Sequence, residues 1–295
     1  MKRVVLAMGA FLALSGTPCA AEPASARMPA IPAAAAIEAC YPRAQAAFLR
    51  EEFQRVVALV KPLTADSSGE LSAALGVSFQ AERALQLWLW YALSVERLQQ
   101  PAEALRVIEE LKTALARSGE ADRLWPEVLF WEGEMSRRSG KMGRSKLAYE
   151  RVLERFPASP WRPKAQLGLA LLIFQEGGYE AARRAVSGLI SDQPQTPVGQ
   201  EALVLDGICA SRLGHQAEAV AIFQSALAAS GDPLRRAQVL VALGDAFDQT
   251  DQVDQAVQSY TQAQQAAPNS SWAAAAAFGT GWTYFRHHQC RDSLR

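Results

Sequence analysis

The chain has 295 residues, of which 49% are hydrophobic and 20% charged, with 30 Lys plus Arg against 30 Asp plus Glu. This composition is typical of a folded protein and excludes a highly charged, disordered chain. A balanced charge provides no broadly basic surface for phosphates or acidic lipid headgroups, so we expect neither nucleic acid nor a lipid surface as a partner.

Residues 1–21 have the order of a secretory signal peptide. Two basic residues, Lys2 and Arg3, precede an apolar run from Val4 to Leu14, and small residues follow at Cys19-Ala20-Ala21. The run is shorter than the roughly 20 residues that span a bilayer, so we expect cleavage after Ala21, with an uncleaved anchor as the alternative. The mature chain is then a periplasmic protein without a membrane segment.

Lipid anchoring is not expected. A bacterial lipobox needs a small residue just before its modified cysteine, and Pro18 stands before Cys19. Cleavage leaves Cys40, Cys209 and Cys290, an odd number, so no full disulfide framework can form. Cys209 and Cys290 lie two repeats apart in the register given below, beyond the reach of a disulfide of about 7 Å between Cα atoms. We expect free or buried thiols for this pair and leave the redox states open.

Residues 22–40 are rich in Ala and Pro, and the prolines at 23, 29 and 32 block a continuous helix. We therefore predict a flexible linker over 22–40, with the alternative that Ala33 to Cys40 is already helical.

Residues 125–295 carry an internal repeat with a period of 37 residues. We call a set of positions that are 37 residues apart a column. One column contains small residues, and a second column of small residues lies 12 positions after the first. The first column is Gly133, Ala170, Gly207, Gly244 and Gly281, and the second is Ser145, Ala182, Ala219, Ala256 and Ser293. A turn column, seven positions after the first, is Gly140, Gly177, Gly214, Asp251 and His288. A bulky column is Tyr149, Val186, Phe223 and Tyr260, and a helix-stopping column is Pro157, Pro194, Gly231 and Pro268.

These columns predict two helices per repeat, joined by a short turn. The turn glycines can adopt a positive φ and end the first helix. The small residues allow the two helices to approach closely, and the bulky residue fills the groove between them. The pairs Ser159-Pro160 and Thr196-Pro197 predict an N-cap followed by a proline at the first helical position.

Two weaker copies precede the regular repeats. Ala44 and Val56, and then Ala92 and Ala104, keep the spacing of 12 residues. The additional length falls in Thr64–Val77 and near Ala116–Arg123. We therefore predict degenerate hairpins over 41–124 and regular repeats over 125–295, the last of them incomplete because its second helix has only begun at Arg291. This unfinished repeat suggests that the sequence is a fragment of a longer protein.

The pattern resembles the tetratricopeptide (TPR) repeat, most clearly at Gly177-Gly178-Tyr179-Glu180-Ala181-Ala182. The resemblance implies an all-α fold, a right-handed α–α superhelix (TPR solenoid) of about six to seven helical hairpins. The 37-residue period and the segment Phe156-Pro157-Ala158-Ser159-Pro160 are similar to the periplasmic TPR proteins of Gram-negative bacteria, namely the TolA-binding coordinator and outer-membrane-assembly lipoprotein families. This likeness implies an envelope location and a protein-binding role.

In TPR solenoids the first helix of each repeat lines a concave groove, which implies a set of protein-binding positions. We predict that partner-binding groove at Phe130, Leu167, Leu171, Phe174, Val204, Ile208, Asp245, Asp248, Trp282 and Phe285. The groove is expected to be apolar in its middle, acidic at Asp245 and Asp248, and aromatic at Trp282 and Phe285. The alternative is that several of these side chains only pack between repeats.

Catalytic and metal-binding patterns are weak in this sequence. Adjacent residues on a helix diverge by about 100°, so His287 and His288 are not expected to share a metal ion. The aspartates at 245, 248, 251 and 254 lack the spacing of a calcium loop, and we predict a solvated acidic edge. His215 is expected to be solvated. The phosphate-loop, serine-hydrolase and zinc-protease motifs do not occur, so we predict a protein that is not an enzyme and needs no cofactor or metal.

The sequence therefore predicts a non-catalytic, protein-binding scaffold or adaptor in the bacterial cell envelope, with an unidentified envelope protein as its partner. An alternative is an accessory TPR domain of a larger envelope enzyme or assembly whose remaining sequence lies beyond Arg295. A third possibility is self-association through the C-terminal hairpin, Trp282–Arg295.

Overall fold

The computed structural model describes residues 33–65, 78–118 and 123–287. The signal-peptide prediction, most of the two predicted insertions, Cys290 and the helix expected from Arg291 lie outside the described residues. The described ranges contain thirteen helices, in the order α1 (Ala33–Leu49), α2 (Phe53–Ala65), α3 (Ser78–Arg97), α4 (Pro101–Ser118), α5 (Trp125–Arg138), α6 (Met142–Arg155), α7 (Arg162–Gln175), α8 (Tyr179–Asp192), α9 (Pro197–Arg212), α10 (Gln216–Ala229), α11 (Pro233–Gln249), α12 (Val253–Ala266) and α13 (Ser271–Arg286).

These helices form two compact units, which divide within α7 after Leu172. In the N-terminal unit, α1 packs against α2, α3 against α4, and α5 against α6. In the C-terminal unit, α9 packs against α10, α11 against α12, and α13 against both α11 and α12. Each unit is thus built from helical hairpins that follow one another in the described chain, which confirms the all-α helical repeat fold.

The turn column is confirmed at its four described members, and its fifth member, His288, lies outside the described residues. Gly140, Gly177 and Gly214 have φ values of 72°, 84° and 83°, a conformation that only glycine adopts without steric cost. Three other residues have the same backbone: Glu51 at 59°, Gln99 at 63° and Asp251 at 60°. Glu51 and Gln99 follow the early small residues Ala44 and Ala92 by the same seven positions, so the degenerate hairpins keep the turn geometry without its glycine.

The glycines at 133, 207 and 244 of the first small column are confirmed as sites of close approach, whereas Ser293 of the second column lies outside the described residues. A Cβ added to Gly133 would lie 2.4 Å from the Tyr149 ring, and one added to Gly207 would lie 2.5 Å from the Phe223 ring. Ser145, in the second small column, donates its hydroxyl hydrogen to the Gly133 carbonyl at 2.8 Å. A side chain at the glycine positions would overlap the ring, so the ring column and the glycine column depend on each other.

Of the two predicted N-caps, one is confirmed and one is wrong. The Thr196 hydroxyl accepts a hydrogen bond from the Gly199 backbone at 3.1 Å, at the start of α9. Ser159 is not a cap, because α7 begins at Arg162 and the Ser159 hydroxyl accepts instead from the Trp161 backbone at 3.2 Å. Asp232 also caps a helix, α11, by accepting from the Arg235 backbone at 3.0 Å.

Helix α1 begins inside the predicted linker, in agreement with the alternative that Ala33 to Cys40 is helical. Ile37 and Cys40 are 1% and 7% exposed, so this end of the predicted linker is part of the core. Cys40 and Cys209 are buried free thiols. Burial raises the pKa of Cys209 to about 12, which keeps it protonated and unreactive at neutral pH.

Within the part of the chain that the structure describes, no helix is both long enough and apolar enough to cross a membrane.

Candidate functional site

The residues predicted to line a groove differ widely in exposure. Five hydrophobic members of the set are at most 9% exposed, namely Phe130, Leu167, Phe174, Val204 and Ile208. Leu171 and Asp245 are half-buried, and Asp248 is 6% exposed. Trp282 and Phe285 are 42% and 59% exposed. Of the ten residues, only Trp282 and Phe285 present a large part of an aromatic side chain to solvent.

The buried aromatic residues of this set have packing partners. The ring centroid of Phe130 lies 5.1 Å from that of Trp161 and 6.2 Å from that of Tyr149. Phe174 lies 5.4 Å from Tyr179. These contacts favour the packing alternative at the two phenylalanines, whereas a partner-binding role for the groove residues stays a prediction.

Two tyrosine–carboxylate pairs occupy equivalent positions in different repeats. The Tyr260 hydroxyl donates to Asp245 Oδ1 at 2.7 Å, and the Tyr149 hydroxyl donates to Glu134. In both pairs the acid stands one residue after the first-column glycine, and the tyrosine belongs to the bulky column. Burial raises the pKa of Asp245 to about 6, and the neighbouring Asp248 charge adds to this rise while the Tyr260 hydrogen bond opposes it.

The predicted solvated acidic edge is wrong for two of its four members. Asp245 is bonded to Tyr260, and the carboxylate of Asp248 is buried. Arg286, at the end of α13, donates to Asp248 Oδ2 at 3.1 Å and to Asp251 Oδ1 at 2.8 Å. Only Asp251 and Asp254 are exposed. These two aspartates are not solvated because α13 covers this side of α11. The spacing of the aspartates along the sequence does not reveal that packing.

Histidine geometry gives no support for a metal ion. Among the described residues, no group of three or more His, Cys, Asp and Glu side chains could hold one. The Nε2 atom of His287 lies 3.6 Å from Asp248 Oδ1 and 3.7 Å from Asp251 Oδ1, where Arg286 already binds. His288 lies outside the described residues. His215 is exposed as predicted, with its Nδ1 3.4 Å from Glu218 Oε2.

Sequence reasoning missed two ion-pair networks that link successive hairpins. In the C-terminal unit, Arg183 donates to Asp206 Oδ1 at 2.7 Å and to Glu218 Oε1 at 2.5 Å, joining α8, α9 and α10. In the N-terminal unit, Glu132 accepts from Arg144 Nε at 3.0 Å and pairs with Lys112 at 2.9 Å. Arg183 and Glu218 are 35 positions apart in the sequence, which is close to one repeat period. This spacing is the feature from which the ion pair could have been predicted.

One face of α13 carries the most prominent exposed apolar cluster among the described residues. Phe278, Trp282 and Phe285 are 57%, 42% and 59% exposed, and we name these three residues the α13 aromatic face. Their spacing of four and three places them on one side of the helix. The rings of Trp282 and Phe285 lie 5.8 Å apart. The other exposed large hydrophobic residues, Leu49 and Leu147, stand singly.

Comparisons with known proteins agree with this architecture. The family model described as the tetratricopeptide repeat matches residues 237–270, which lie in α11, α12 and the segment after them. No curated protein matches the chain in a sequence search.

Several solved structures are similar in fold. The Cut9–Hcn1 hetero-tetramer of the APC/C has a TM-score of 0.60 at 16% identity, with 86% of this chain and 43% of that chain covered. BtubC (BKLC) from P. vanneervenii has a TM-score of 0.55 at 16% identity, covering 75% of this chain and 91% of that chain. TTC0263, a thermophilic TPR protein of Thermus thermophilus, has a TM-score of 0.50 at 19% identity, covering 65% of this chain and 98% of that chain.

At these identities the likeness shows the fold alone. The repeat match and the structural neighbours together support an all-α superhelical repeat fold in which at least one repeat, within residues 237–270, is of the tetratricopeptide type.

Proposed function

We propose that this protein is a non-catalytic, protein-binding scaffold or adaptor in the bacterial cell envelope. TPR proteins are generally scaffolds for protein interactions, and the repeat match supports that class. The observation that carries the proposal is the α13 aromatic face, because three large, exposed apolar side chains on one helix side mark an interaction surface.

The chemistry of this surface favours a protein as the partner. Aromatic side chains dominate the binding energy of protein interfaces, since each ring removes a large apolar area from water without a charge to desolvate. The basic residue nearest to this face, Arg286, is already held by Asp248 and Asp251. A nucleic-acid site would instead need several cations directed outward.

A pull-down from native periplasm with crosslinking tests the protein-binding role. The bait is residues 22–295, and the loss-of-function variant is Trp282→Glu with Phe285→Glu. Both side chains are exposed, so the variant should stay folded, whereas Glu at the 7%-exposed Phe174 would place a charge in the core. The matched control is Leu147→Glu, because Leu147 is 48% exposed and stands alone.

We expect one envelope protein to be enriched by the unmodified bait and by the Leu147→Glu control, and to be lost with the double variant. Capture that is identical for all three baits would show that the α13 aromatic face is not the binding site. Absence of any enriched protein would count against the scaffold role itself.

The envelope location rests on residues 1–21 and has its own test. Expression of the full chain in a Gram-negative host should yield a periplasmic product whose N-terminus is Glu22. Replacing Lys2 and Arg3 by Glu should reduce export, because the basic segment at the start of the signal is lost. An unprocessed, cytoplasmic product from the unmodified chain would contradict the proposed location.

A further inference from the structure

Positive charge is concentrated in one segment of a chain whose overall charge is balanced. Residues 137–164 contain nine Lys and Arg against two Glu, whereas the rest of the chain contains 21 Lys and Arg against 28 Asp and Glu. The segment spans the end of α5, all of α6 and the start of α7, within the N-terminal unit. The balanced total therefore conceals a local excess of positive charge.

The nine basic side chains of this segment fall into two groups. Four of them pair with acidic side chains of the same unit, at N–O distances of 2.6 to 4.0 Å. These four are Arg137, Arg138, Arg144 and Lys146. The other five are exposed, and none of them forms an ion pair within the ranges that the structure describes. These five are Lys141, Arg151, Arg155, Arg162 and Lys164.

Four of the five unpaired cations flank the connection between α6 and α7. Arg151 and Arg155 are in the last two turns of α6, and Arg162 and Lys164 are in the first turn of α7. Only residues 156–161 separate the two pairs. We name these four residues the α6–α7 basic surface.

Two aromatic rings restrain the cations of this surface. The guanidinium carbon of Arg155 lies 5.6 Å from the centroid of the Phe156 ring, and Lys164 Nζ lies 4.1 Å from that of the Trp161 ring. Both rings pack against one buried cluster, which contains Phe130. Because a cation over a ring is attracted to it, these long side chains lose less conformational entropy when a ligand pairs with them.

The two acidic residues of α6 lie on a different edge from its unpaired arginines. Successive residues turn by about 100° around a helix, so Glu150 and Glu154 share one edge and Arg151 and Arg155 share the next. The ion pair of Glu150 is with Lys146, at 4.0 Å. Within the described chain the arginine charges are therefore uncompensated, and an anionic partner would relieve the repulsion between them.

We propose that the α6–α7 basic surface docks an acidic segment of a partner protein, whose Asp and Glu carboxylates pair with the four cations. This surface belongs to the N-terminal unit, whereas the α13 aromatic face belongs to the C-terminal unit. The inference rests on the proposed scaffold function and adds a second contact surface together with the chemistry of the segment that it binds.

The spacing of the two arginines in α6 fits an extended segment. Arg151 and Arg155 are four residues apart, a rise of about 6 Å along the helix. In an extended chain, alternate side chains lie on the same side and are about 6.6 Å apart. Acidic residues at alternate positions can therefore each meet one arginine, whose planar guanidinium binds a carboxylate through two parallel hydrogen bonds.

A lipid bilayer or a nucleic acid fits this surface less well. Phe156 and Trp161 are half-buried against the core, so they are not directed outward to enter a bilayer. A flat anionic membrane would also meet Glu150 and Glu154, whereas a narrow segment can follow the cations and avoid both. Nucleic-acid sites commonly neutralise about 6–10 phosphates, more than four cations can reach.

A synthetic acidic peptide tests the proposal. The probe is a fluorescein-labelled peptide of alternating Glu and Ser, titrated with the 22–295 protein at low salt while fluorescence anisotropy is measured. The control peptide has Gln in place of every Glu. The loss-of-function variant is Arg151→Glu with Arg155→Glu. The matched control is Arg43→Glu with Arg50→Glu, which reverses two exposed cations of the same unit outside this surface.

We expect saturable binding of the Glu peptide, at least tenfold weaker with the Arg151→Glu, Arg155→Glu protein and unchanged within about twofold with the matched control. The Gln peptide should not bind, and binding of the Glu peptide should weaken as salt is raised. Arg162→Glu gives an independent readout, because Glu is favoured in the first turn of a helix and should not impair folding. It should weaken binding at least threefold. Far-UV circular dichroism of every variant checks that it is folded.

The outcomes separate this inference from the proposed function. No binding of the Glu peptide, equal binding of the Gln peptide, or an equal loss in the matched control overturns acidic-segment docking. Tighter binding of phosphatidylglycerol vesicles or of a single-stranded oligothymidylate than of the Glu peptide also overturns it. If the periplasmic pull-down still enriches one envelope protein in those cases, the scaffold function stands and only the acidic-segment site is lost.

Discussion

Helices α11 and α13 share one sequence register and one unit, yet their equivalent faces differ in exposure and in chemistry. In α11 the face contains a buried Val241 and two carboxylates that are bonded to Tyr260 and Arg286. In α13 it contains three exposed aromatic residues. The repeat register therefore determines which positions lie on this side of a first helix, whereas packing against a neighbouring helix determines whether those positions are buried or exposed.

The largest expected effect tests the burial difference directly. Val241→Asp should lower the free energy of unfolding by about 3 kcal/mol or more, because the new carboxylate is buried without a partner. Phe278→Asp, at the equivalent position of α13, should change it by less than about 1 kcal/mol, as is usual for exposed sites. Urea unfolding of both variants measures the difference. Equal destabilisation would mean that the two faces are buried alike.

A second prediction concerns the ring and glycine columns that the two helices share. Gly244→Ala should destabilise the protein by about 1–3 kcal/mol, because the new Cβ lies 2.6 Å from the Tyr260 ring. The matched control is Gly188→Ala within α8, where nothing lies within 4 Å of the new Cβ. That change should stabilise the protein by about 0.5–1 kcal/mol, since alanine favours helix. Thermal unfolding measures whether each variant is less or more stable than the unmodified protein. Unchanged stability in Gly244→Ala would contradict the close approach of Gly244 to the Tyr260 ring.

The third prediction follows from the carboxylate that α11 buries. Burial raises the pKa of Asp245 to about 6 in the folded protein, above the ordinary value of about 3.9 in an unfolded chain. The folded state thus binds the proton more tightly, so this group stabilises the protein at low pH. That contribution falls by about 2 kcal/mol as the pH rises from about 4 to 6.

Asp245→Asn removes this titration and keeps an acceptor for the Tyr260 hydroxyl. We expect unfolding measured between pH 4 and 7 to show a flatter pH dependence and greater stability at neutral pH for the variant. The Asp254→Asn control, at an exposed position, should keep the profile of the unmodified protein. Unchanged pH dependence in Asp245→Asn would contradict the raised pKa.

The smallest effects are expected at the turns before the second helices. Gln99 has a φ of 63°, so Gln99→Gly should stabilise the protein by up to about 1 kcal/mol through relief of steric strain. Gly214, with a φ of 83°, gives the opposite test: Gly214→Ala should destabilise by about 1–2 kcal/mol. Thermal melts of the two variants should shift in opposite directions. A shift in the same direction would disagree with a shared turn geometry.

Much of the fold was predictable because its signals are local. The turn at Gly214 needs a positive φ, and the crossing at Gly207 needs room for the Phe223 ring. Each requirement limits the residue type at one position, so it leaves a visible column in the sequence. The turns at Glu51 and Gln99 were harder to find because those residues tolerate the same backbone at a cost.

The candidate site was only partly predictable, for a physical reason. Trp282 and Phe285 were expected to face a groove, and they are exposed, whereas Ile208 and Phe174 at the equivalent register positions are buried. The ion pairs of Arg183 with Asp206 and Glu218 depend on side chains from three helices. Burial and pairing of this kind arise from distant parts of the chain, which spacing along one helix does not encode.

The sequence by itself determined the helical hairpins, their period and the glycine–ring contacts, because each follows from the conformation or size of one residue type at a repeated position. Only the tertiary structure decided that Asp248 is buried beneath Arg286 and that Phe278 is exposed. The reason is that burial depends on which helix lies across a face, and the repeat register is the same whether or not such a helix is there.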